Sequence, residues 1–294
     1  MRLDDTSRYQ GHLSSLQQHT QKAYQIQQQI SSGNRAVRPS DDPSLYQLRE
    51  QLTLRSQKLA GDQQFLGGQK DRLNNYDATV GGLVEQIRQA RSLVQQASNA
   101  PADSNQMAAF KDQMNNLINA SAATLNTEVA GKYQFGGTKV DAPPFTLSPT
   151  GVTYNGDENF PGIPLPDGQT LKVGLDGKSI TQAANSDYFG TLTSIRDQLA
   201  AGSLNAGPAL DKLNEMENHL LQKRAEAGSA ARYVEGLQSS MAAEQSMNDS
   251  QLTEQTGMDL STGITQLLQN ETEQQASMSV VGRQAKLSLV DYLR

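Results

Sequence analysis

The chain holds three imidazoles, at His12, His19 and His219. His12 and His19 stand two helical turns apart on one face. A metal-binding pair on a helix takes an i, i+4 spacing, so these two read as part of a solvated face. Two acidic pairs, Asp4–Asp5 and Asp41–Asp42, carry the chemistry of a carboxylate site. Helix capping and solvation account for both. Gly67–Gly68 and Gly136–Gly137 match no phosphate-cradling loop, and the many serines include no G-x-S-x-G elbow. Cysteine is absent. Disulfides, Cys-bearing zinc sites and thiol nucleophiles are thereby excluded, while the compartment is left open. Acid, base and oxyanion donors do not assemble anywhere in the sequence. The chain reads as a non-enzyme with no cofactor and no metal.

The elements that carry these residues are helices of unusual length. From Leu45, steps of seven meet Leu52, Leu59, Leu66, Leu73, Val80, Ile87 and Val94, all aliphatic. The series three residues on runs Leu48, Arg55, Asp62, Gln69, Tyr76, Leu83, Ala90 and Ala97, apolar at its ends and polar in its middle. A heptad pattern sustained this far predicts a helix over 44–99 with one apolar seam, packed against other helices as a coiled coil. Such a helix is roughly 80 Å long, longer than a helix in an ordinary globular core. Gly61, Gly67, Gly68, Gly81 and Gly82 soften it, at about 1 kcal/mol each relative to alanine, and allow a kink near Gly67–Gly68.

Composition agrees with thin helical layers. Aromatic residues make up 5% of the 294 residues and tryptophan is absent, fewer large core residues than a compact enzyme of this length carries. The net charge of −6, with both signs scattered, argues against a nucleic-acid partner, which needs a basic stripe. No run of about 18 apolar residues occurs, so no membrane span is expected. The N-terminus lacks the apolar stretch of a cleaved signal peptide.

Taken in order, residues 6–31 read as a first helix, with Tyr9, Leu13, Leu16, Ala23 and Ile30 on a 4-3 frame and Thr20 and Gln27 in the polar slots. Its apolar face is narrow, so it needs a partner. Gly33 caps it. Asp42 and Pro43 then start the long helix as N-cap and first helical residue. A third helix runs from Asp103 to near Gly131, with Met107, Phe110, Met114, Leu117, Ile118, Leu125 and Val129 on its apolar face. Short alternating runs around Phe135, Phe145–Leu147, Val152–Tyr154 and Leu171–Val173, broken by turn signals, predict β-hairpins over 132–181. A short helix follows through Tyr188, Leu192, Ile195 and Leu199, then a loop over 202–208. A second long helix covers 209–256, and a last helix from Asp259 carries Leu260, Ile264, Leu267, Met278, Val281 and Ala285, with Glu271 and Gln274 in the skipped slots.

The fold class expected is mainly α with a small β insertion. The chain would form an elongated, hairpin-like helical bundle with its first and last helices paired, its two long helices paired and the β-rich part at the far end. Residues 1–43 and 257–294 form terminal coiled-coil segments, 44–131 and 182–256 a helical rod, and 132–181 a small β-rich domain.

Several motifs carry a resemblance. Ser31-Ser32-Gly33-Asn34-Arg35 followed by Pro39-Ser40-Asp41-Asp42-Pro43 resembles the N-terminal stretch of the bacterial flagellin superfamily, and its P-S-D-D-P form resembles the hook-associated protein 3 (hook–filament junction) family within it. Gly131 to Lys139, Pro144-Phe145 and Tyr154-Asn155-Gly156-Asp157 are similar to that family's entry into its β domain. Arg224-Ala225-Glu226-Ala227-Gly228 and Leu287 to Leu293 are similar to its C-terminal segments. Asp4–Asp5 departs from the family's usual Ser-Thr, and the stretch after Lys178 carries no clear signature of it. The resemblance implies a secreted, extracellular structural protein of the bacterial flagellum, exported unfolded through the type III apparatus after being held by an export chaperone. It further implies a ring-like layer of copies of the chain between the first hook-associated protein and the flagellin filament. The terminal segments, loose in the monomer, would order as coiled coils against neighbouring subunits. The seam positions expected to form this assembly interface are Leu13, Leu16, Ile30, Leu260, Ile264, Leu267, Met278 and Val281. Flagellin itself, and a coiled-coil scaffold or adhesin outside any flagellum, are the rival readings.

Overall fold

The computed structural model describes residues 2–99, 104–129, 131–159, 162–166, 168–171, 173 and 176–292, with side chains described between residues 10 and 283. The helices are α1 (Arg2–Ser32), α2 (Pro43–Asn99), α3 (Ser104–Leu125), α4 (Gly177–Thr181), α5 (Tyr188–Ala200), α6 (Ala206–Thr256) and α7 (Leu260–Tyr292). Among the described residues, three antiparallel strand pairs lie between α3 and α4 in the chain: β1 (Glu128–Val129) with β2 (Lys132–Tyr133), β3 (Phe145–Ser148) with β4 (Gly151–Tyr154), and β5 (Ile163–Pro164) with β6 (Thr170–Leu171). The fold is mainly α with a small β part, as the pattern of the sequence indicates. The backbone divides into two compact units, Asp62–Ser240 and Met1–Gly61 with Met241–Arg294.

Long helices form where the sequence supplies start signals. Asp42 accepts the N–H groups of Ser44 and Leu45, both at 3.0 Å, and Pro43 occupies the first helical position, where a missing N–H costs nothing. The Leu45 N–H and the Ser44 hydroxyl hold the Asp42 carboxyl below its ordinary range. Asp187 starts α5 in the same way by accepting from Gly190 N. α2 passes through all five of its glycines without a break.

In the Asp62–Ser240 unit, the heptad stripe of α2 is the core. Leu66, Leu73, Val80, Ile87 and Val94 are fully buried, and so are Leu213, Met216, Leu220, Ala227 and Val234 of α6. Polar contacts flank the seam and set α2 and α6 antiparallel. Arg224 makes a two-pronged ion pair with Asp77 at 2.9 and 3.0 Å, Lys70 meets Glu235 at 2.8 Å, and Glu217 receives both Arg88 and Arg91 at 2.7 Å. Beyond Tyr76 the second series of α2 is also buried, at Leu83, Ala90 and Ala97, because α3 and α5 cover that part. Met114, Ile118 and Leu125 of α3 lie buried with Leu192, Ile195 and Leu199 of α5. One buried polar network crosses these layers: Ser121 bonds Gln86 Oε1 at 2.7 Å and the Tyr188 hydroxyl at 2.8 Å. Burial raises the Tyr188 phenol above its ordinary range.

The β part gathers the scarce aromatics. Phe145 stacks obliquely on Tyr154 at 5.1 Å and on Phe189 at 5.5 Å, and Tyr76 meets Phe135 at 5.7 Å. The Gly136–Gly137 turn serves as a corner: Asp157 accepts the N–H and hydroxyl of Thr138, and Tyr154 donates its hydroxyl within reach of both the Phe135 and Asp157 carbonyls, each at 2.9 Å. Burial is the first cause, and the Asp176 charge the second, of a Tyr154 pKa pushed up to about 12. The motifs 131–139 and 154–157 thus clasp each other.

Three expected boundaries are corrected. α3 ends at Leu125 rather than near Gly131, so Val129 is a strand residue instead of part of a helical face. The reason is Asn126, whose side chain imitates a strand by accepting from Phe145 N at 2.9 Å and donating to Phe145 O at 2.7 Å. The β part holds a helix, α4, capped by Asp176. The loop before the second long helix is shorter than 202–208, because Gly207 and Pro208 enter the first turn of α6, where proline is tolerated. The expected N-cap Asp103, the Ala100–Pro101 stop and Lys172 lie outside the described residues.

Candidate functional site

Within the Met1–Gly61/Met241–Arg294 unit, α1 and α7 lie side by side. Where their side chains are described, their shared seam is thinly apolar. On α1 the inward line is His12, Leu16, His19, Ala23, Ile26 and Ile30, of which Ile26 alone is fully buried. On α7 it is Gly263, Leu267, Asn270, Gln274, Ser277 and Val281, with Gly263 and Asn270 buried. Both lines keep the 4-3 frame.

The centre of this seam is polar. Asn270, 2% exposed, donates its Nδ2 to the His19 carbonyl at 2.8 Å. A carbonyl only accepts, so this bond fixes the amide orientation and turns Oδ1 towards the His19 ring. His19 Nδ1 therefore donates to it, at 3.0 Å. Gln274 adds a bond to Thr20 Oγ1 at 3.2 Å, and Glu273 stands 3.7 Å from His19 Nδ1. Nearer the start of α7 the helices approach closely: a Cβ at Gly263 would lie 2.9 Å from Ile30 Cγ1 and 2.8 Å from Met258 Cε.

The eight expected interface residues take two kinds of position. Leu16, Ile30, Leu267 and Val281 are half-buried on the seam itself. Leu13, Leu260, Ile264 and Met278 are 41–56% exposed, beside it. Leu260, Ile264 and Leu268 leave a short exposed apolar strip at the start of α7, and Met278 is exposed further along the same face, beyond Glu271 and Gln275. Tyr9, Ala285 and Leu287 to Leu293 lie outside the described side chains, as do Asp4 and Asp5. The seam residues His19, Gly263 and Asn270 were not singled out by apolar spacing. The signal that finds them is the alternative 4-3 frame one position earlier, which trades Leu13, Thr20 and Gln27 for His12, His19 and Ile26.

The residues weighed for chemistry fall to structural roles. Asp42 caps α2, and Asp41 accepts from Val37 N, Arg38 N and Gln25 Nε2. His219 bonds the Ser179 carbonyl at 2.8 Å. Glu215 accepts from Ser186 and Asn185, which holds its carboxyl low. No helix is long and apolar enough to cross a membrane among the described residues.

No family model matches the chain. Two curated proteins do. The flagellar hook-associated protein 3 of Escherichia coli is 24% identical over 324 residues, covering 98% of each chain. That of Salmonella typhimurium is 23% identical over 197 residues, covering 64% of this chain and 59% of its own length. Among solved structures, the flagellar hook-associated protein 3 of Legionella pneumophila superposes with a TM-score of 0.60 at 13% identity, over 71% of this chain and 98% of that one. A structure of the flagellar junction protein of the same organism does so at 0.54 and 12% identity, over 64% and 99%. The fold is that of these proteins. The resemblance to hook-associated protein 3 carried by the sequence motifs is also the resemblance that the comparisons find.

Proposed function

We propose that this chain is a structural component of the bacterial flagellum, and within it the adaptor between the first hook-associated protein and the flagellin filament. The observation that carries the reading is the alignment along nearly the whole chain to a hook-associated protein 3, joined to an α1/α7 pair that leaves an apolar strip in water. A thin, polar-centred seam with unpartnered apolar residues beside it suits helices that complete their burial against other subunits. In this reading the partners are further copies of the chain in a ring-like layer, the first hook-associated protein, flagellin and an export chaperone. The assembled protein lies outside the cell and catalyses nothing. Residues 1–43 and 257–294 act as the assembly segments, 44–131 and 182–256 as the helical rod, and 132–181 as the β-rich domain.

Deletion of the gene in the source organism tests this directly. Electron microscopy should find bare hooks, and the medium should contain unassembled flagellin. Bare hooks without flagellin anywhere would identify the chain as the filament subunit instead. Filaments of normal length would overturn the flagellar reading in favour of a free scaffold. Complementation with Leu13→Asp or Met278→Asp should fail to restore filaments, and full restoration by both would remove the terminal seams from the mechanism.

A further inference from the structure

Asn155 and Gly156 are the chain's one Asn-Gly pair. They follow directly on β4, and Asn155 is exposed. Packing accounts for each residue. Asn155 Nδ2 donates to Thr146 Oγ1 at 2.6 Å, which ties the chain after β4 back to β3. Gly156 lies against the Tyr154 ring, where a Cβ would stand 2.7 Å from Tyr154 Cε2. That ring cannot move aside, because its hydroxyl is bonded to the Phe135 and Asp157 carbonyls.

The same pair is chemically reactive. Glycine after asparagine places no Cβ beside the attacking nitrogen and leaves the backbone free to turn. Gly156 N, giving up its proton to water, attacks Asn155 Cγ. A C–N bond forms there, the bond from Cγ to Nδ2 breaks, and Nδ2 takes a proton from solvent and leaves as ammonia. Water then opens the five-membered succinimide at one of its two carbonyls, which gives aspartate or isoaspartate at position 155. Nothing is oxidised or reduced. Lys139 Nζ, 3.3 Å from Asn155 O, draws electron density from the peptide that holds Gly156 N and favours loss of its proton.

The fold opposes this step. Cγ must leave Thr146 and swing towards Gly156 N, and the backbone between them must turn. The backbone is tied on both sides of the reacting peptide, by Asn155 N to Pro144 O at 2.8 Å and by Asp157 N to Gly136 O at 3.1 Å. The Asp157 carboxylate is anchored in turn by Thr138 N at 2.9 Å and Asn159 N at 3.0 Å.

We propose that Asn155 is a latent deamidation site, closed in the folded chain by its bond to Thr146 and open whenever the β part is unfolded. Isoaspartate lengthens the backbone by a methylene between positions 155 and 156. That displaces Gly156 from the Tyr154 ring and parts Asp157 N from Gly136 O, so a converted chain no longer closes the corner between 131–139 and 154–157. The modification records time spent unfolded and prevents the β part from re-forming. This inference does not rest on the flagellar reading.

The test keeps the full-length chain at neutral pH, folded in buffer or unfolded in urea, and follows the tryptic peptide 140–172 by mass spectrometry. Conversion at Asn155 should proceed in urea and run several-fold slower in the folded chain. Thr146→Val, which removes the acceptor and keeps a branched side chain in the strand, should speed conversion of the folded chain several-fold. Thr146→Ser, which keeps the hydroxyl, should stay slow. After return to buffer, the isoaspartate form should be cut by protease within 131–159 several-fold faster than fresh chain. Equal rates in the folded and unfolded chains overturn the proposal, and so does a peptide that stays unconverted in urea. A valine variant as slow as the unsubstituted chain also overturns it, as does a serine variant as fast as the valine one, which would mean that any change at 146 loosens the strand. An isoaspartate form as resistant to protease as fresh chain overturns the block on re-forming.

Discussion

The α2/α6 seam of the Asp62–Ser240 unit and the α1/α7 seam are written in the same heptad period, yet they are built differently. The first repeats an aliphatic residue at every seventh position of α2, and that line is fully enclosed from Leu66 to Val94. The second alternates His, Asn, Gln and Ser with a few aliphatics, and Ile26 is the one fully buried apolar side chain on its described face of α1. The difference lies in how many neighbours each helix has. α2 is covered by α6 and, past Tyr76, by α3 and α5. α1 has α7 as its main neighbour, and two helices alone bury little. Burial of aliphatic area is what stabilises a seam, at about 25 cal/mol per Å². The first seam therefore holds by itself, whereas the second is held by the hydrogen bonds of its polar centre and keeps apolar surface free.

The sharpest way to break this contrast is in the aliphatic seam. Leu73→Ala should lower the unfolding free energy by about 2–5 kcal/mol, read by urea denaturation under helical ellipticity. A loss comparable to that of a surface substitution would mean that the two seams are energetically alike. Removing the cap, Asp42→Ala, should lower stability by less than Leu73→Ala in the same assay, because Ser44 N and Leu45 N lose their acceptor. Acid should act in the same direction. Asp42, and Asp259 at the start of α7, which accepts from the Thr262 hydroxyl and Ser261 N, both have carboxyls held low. A depressed carboxylate contributes stability that is complete above the unfolded value of about 3.9 and disappears as pH falls through the folded value. Melting temperature should therefore drop between about pH 4 and pH 2, and Asp42→Asn should flatten that dependence.

Smaller effects test the terminal side. Leu13→Asp and Met278→Asp should leave the denaturation midpoint of the isolated chain within about 0.5 kcal/mol, because both residues are largely exposed. A large loss would mean that the monomer already buries that strip. Smallest of all should be Arg55→Ala, which breaks a well-exposed ion pair with Glu244 and should change stability by about 0–1 kcal/mol.

By itself, the sequence determined the period, the order and the punctuation of this protein. A seven-residue aliphatic series such as Leu45 to Val94 has few folded forms other than a long packed helix. Asp42-Pro43 and Asp187 carry their capping chemistry in their own side chains. The pairing of first with last helix followed from matching lengths and seams. Tertiary structure decided what depends on a distant partner. Asn126 stops α3 because Phe145 offers it a strand edge, and nothing near Asn126 in the chain announces that. The inward line of the terminal pair fell one position from the apolar reading because His19 and Asn270, 251 residues apart, satisfy each other. A periodic pattern records which face of a helix is apolar, whereas the bonds available on the opposing helix choose the residues that turn inward, and that opposing surface exists only after folding.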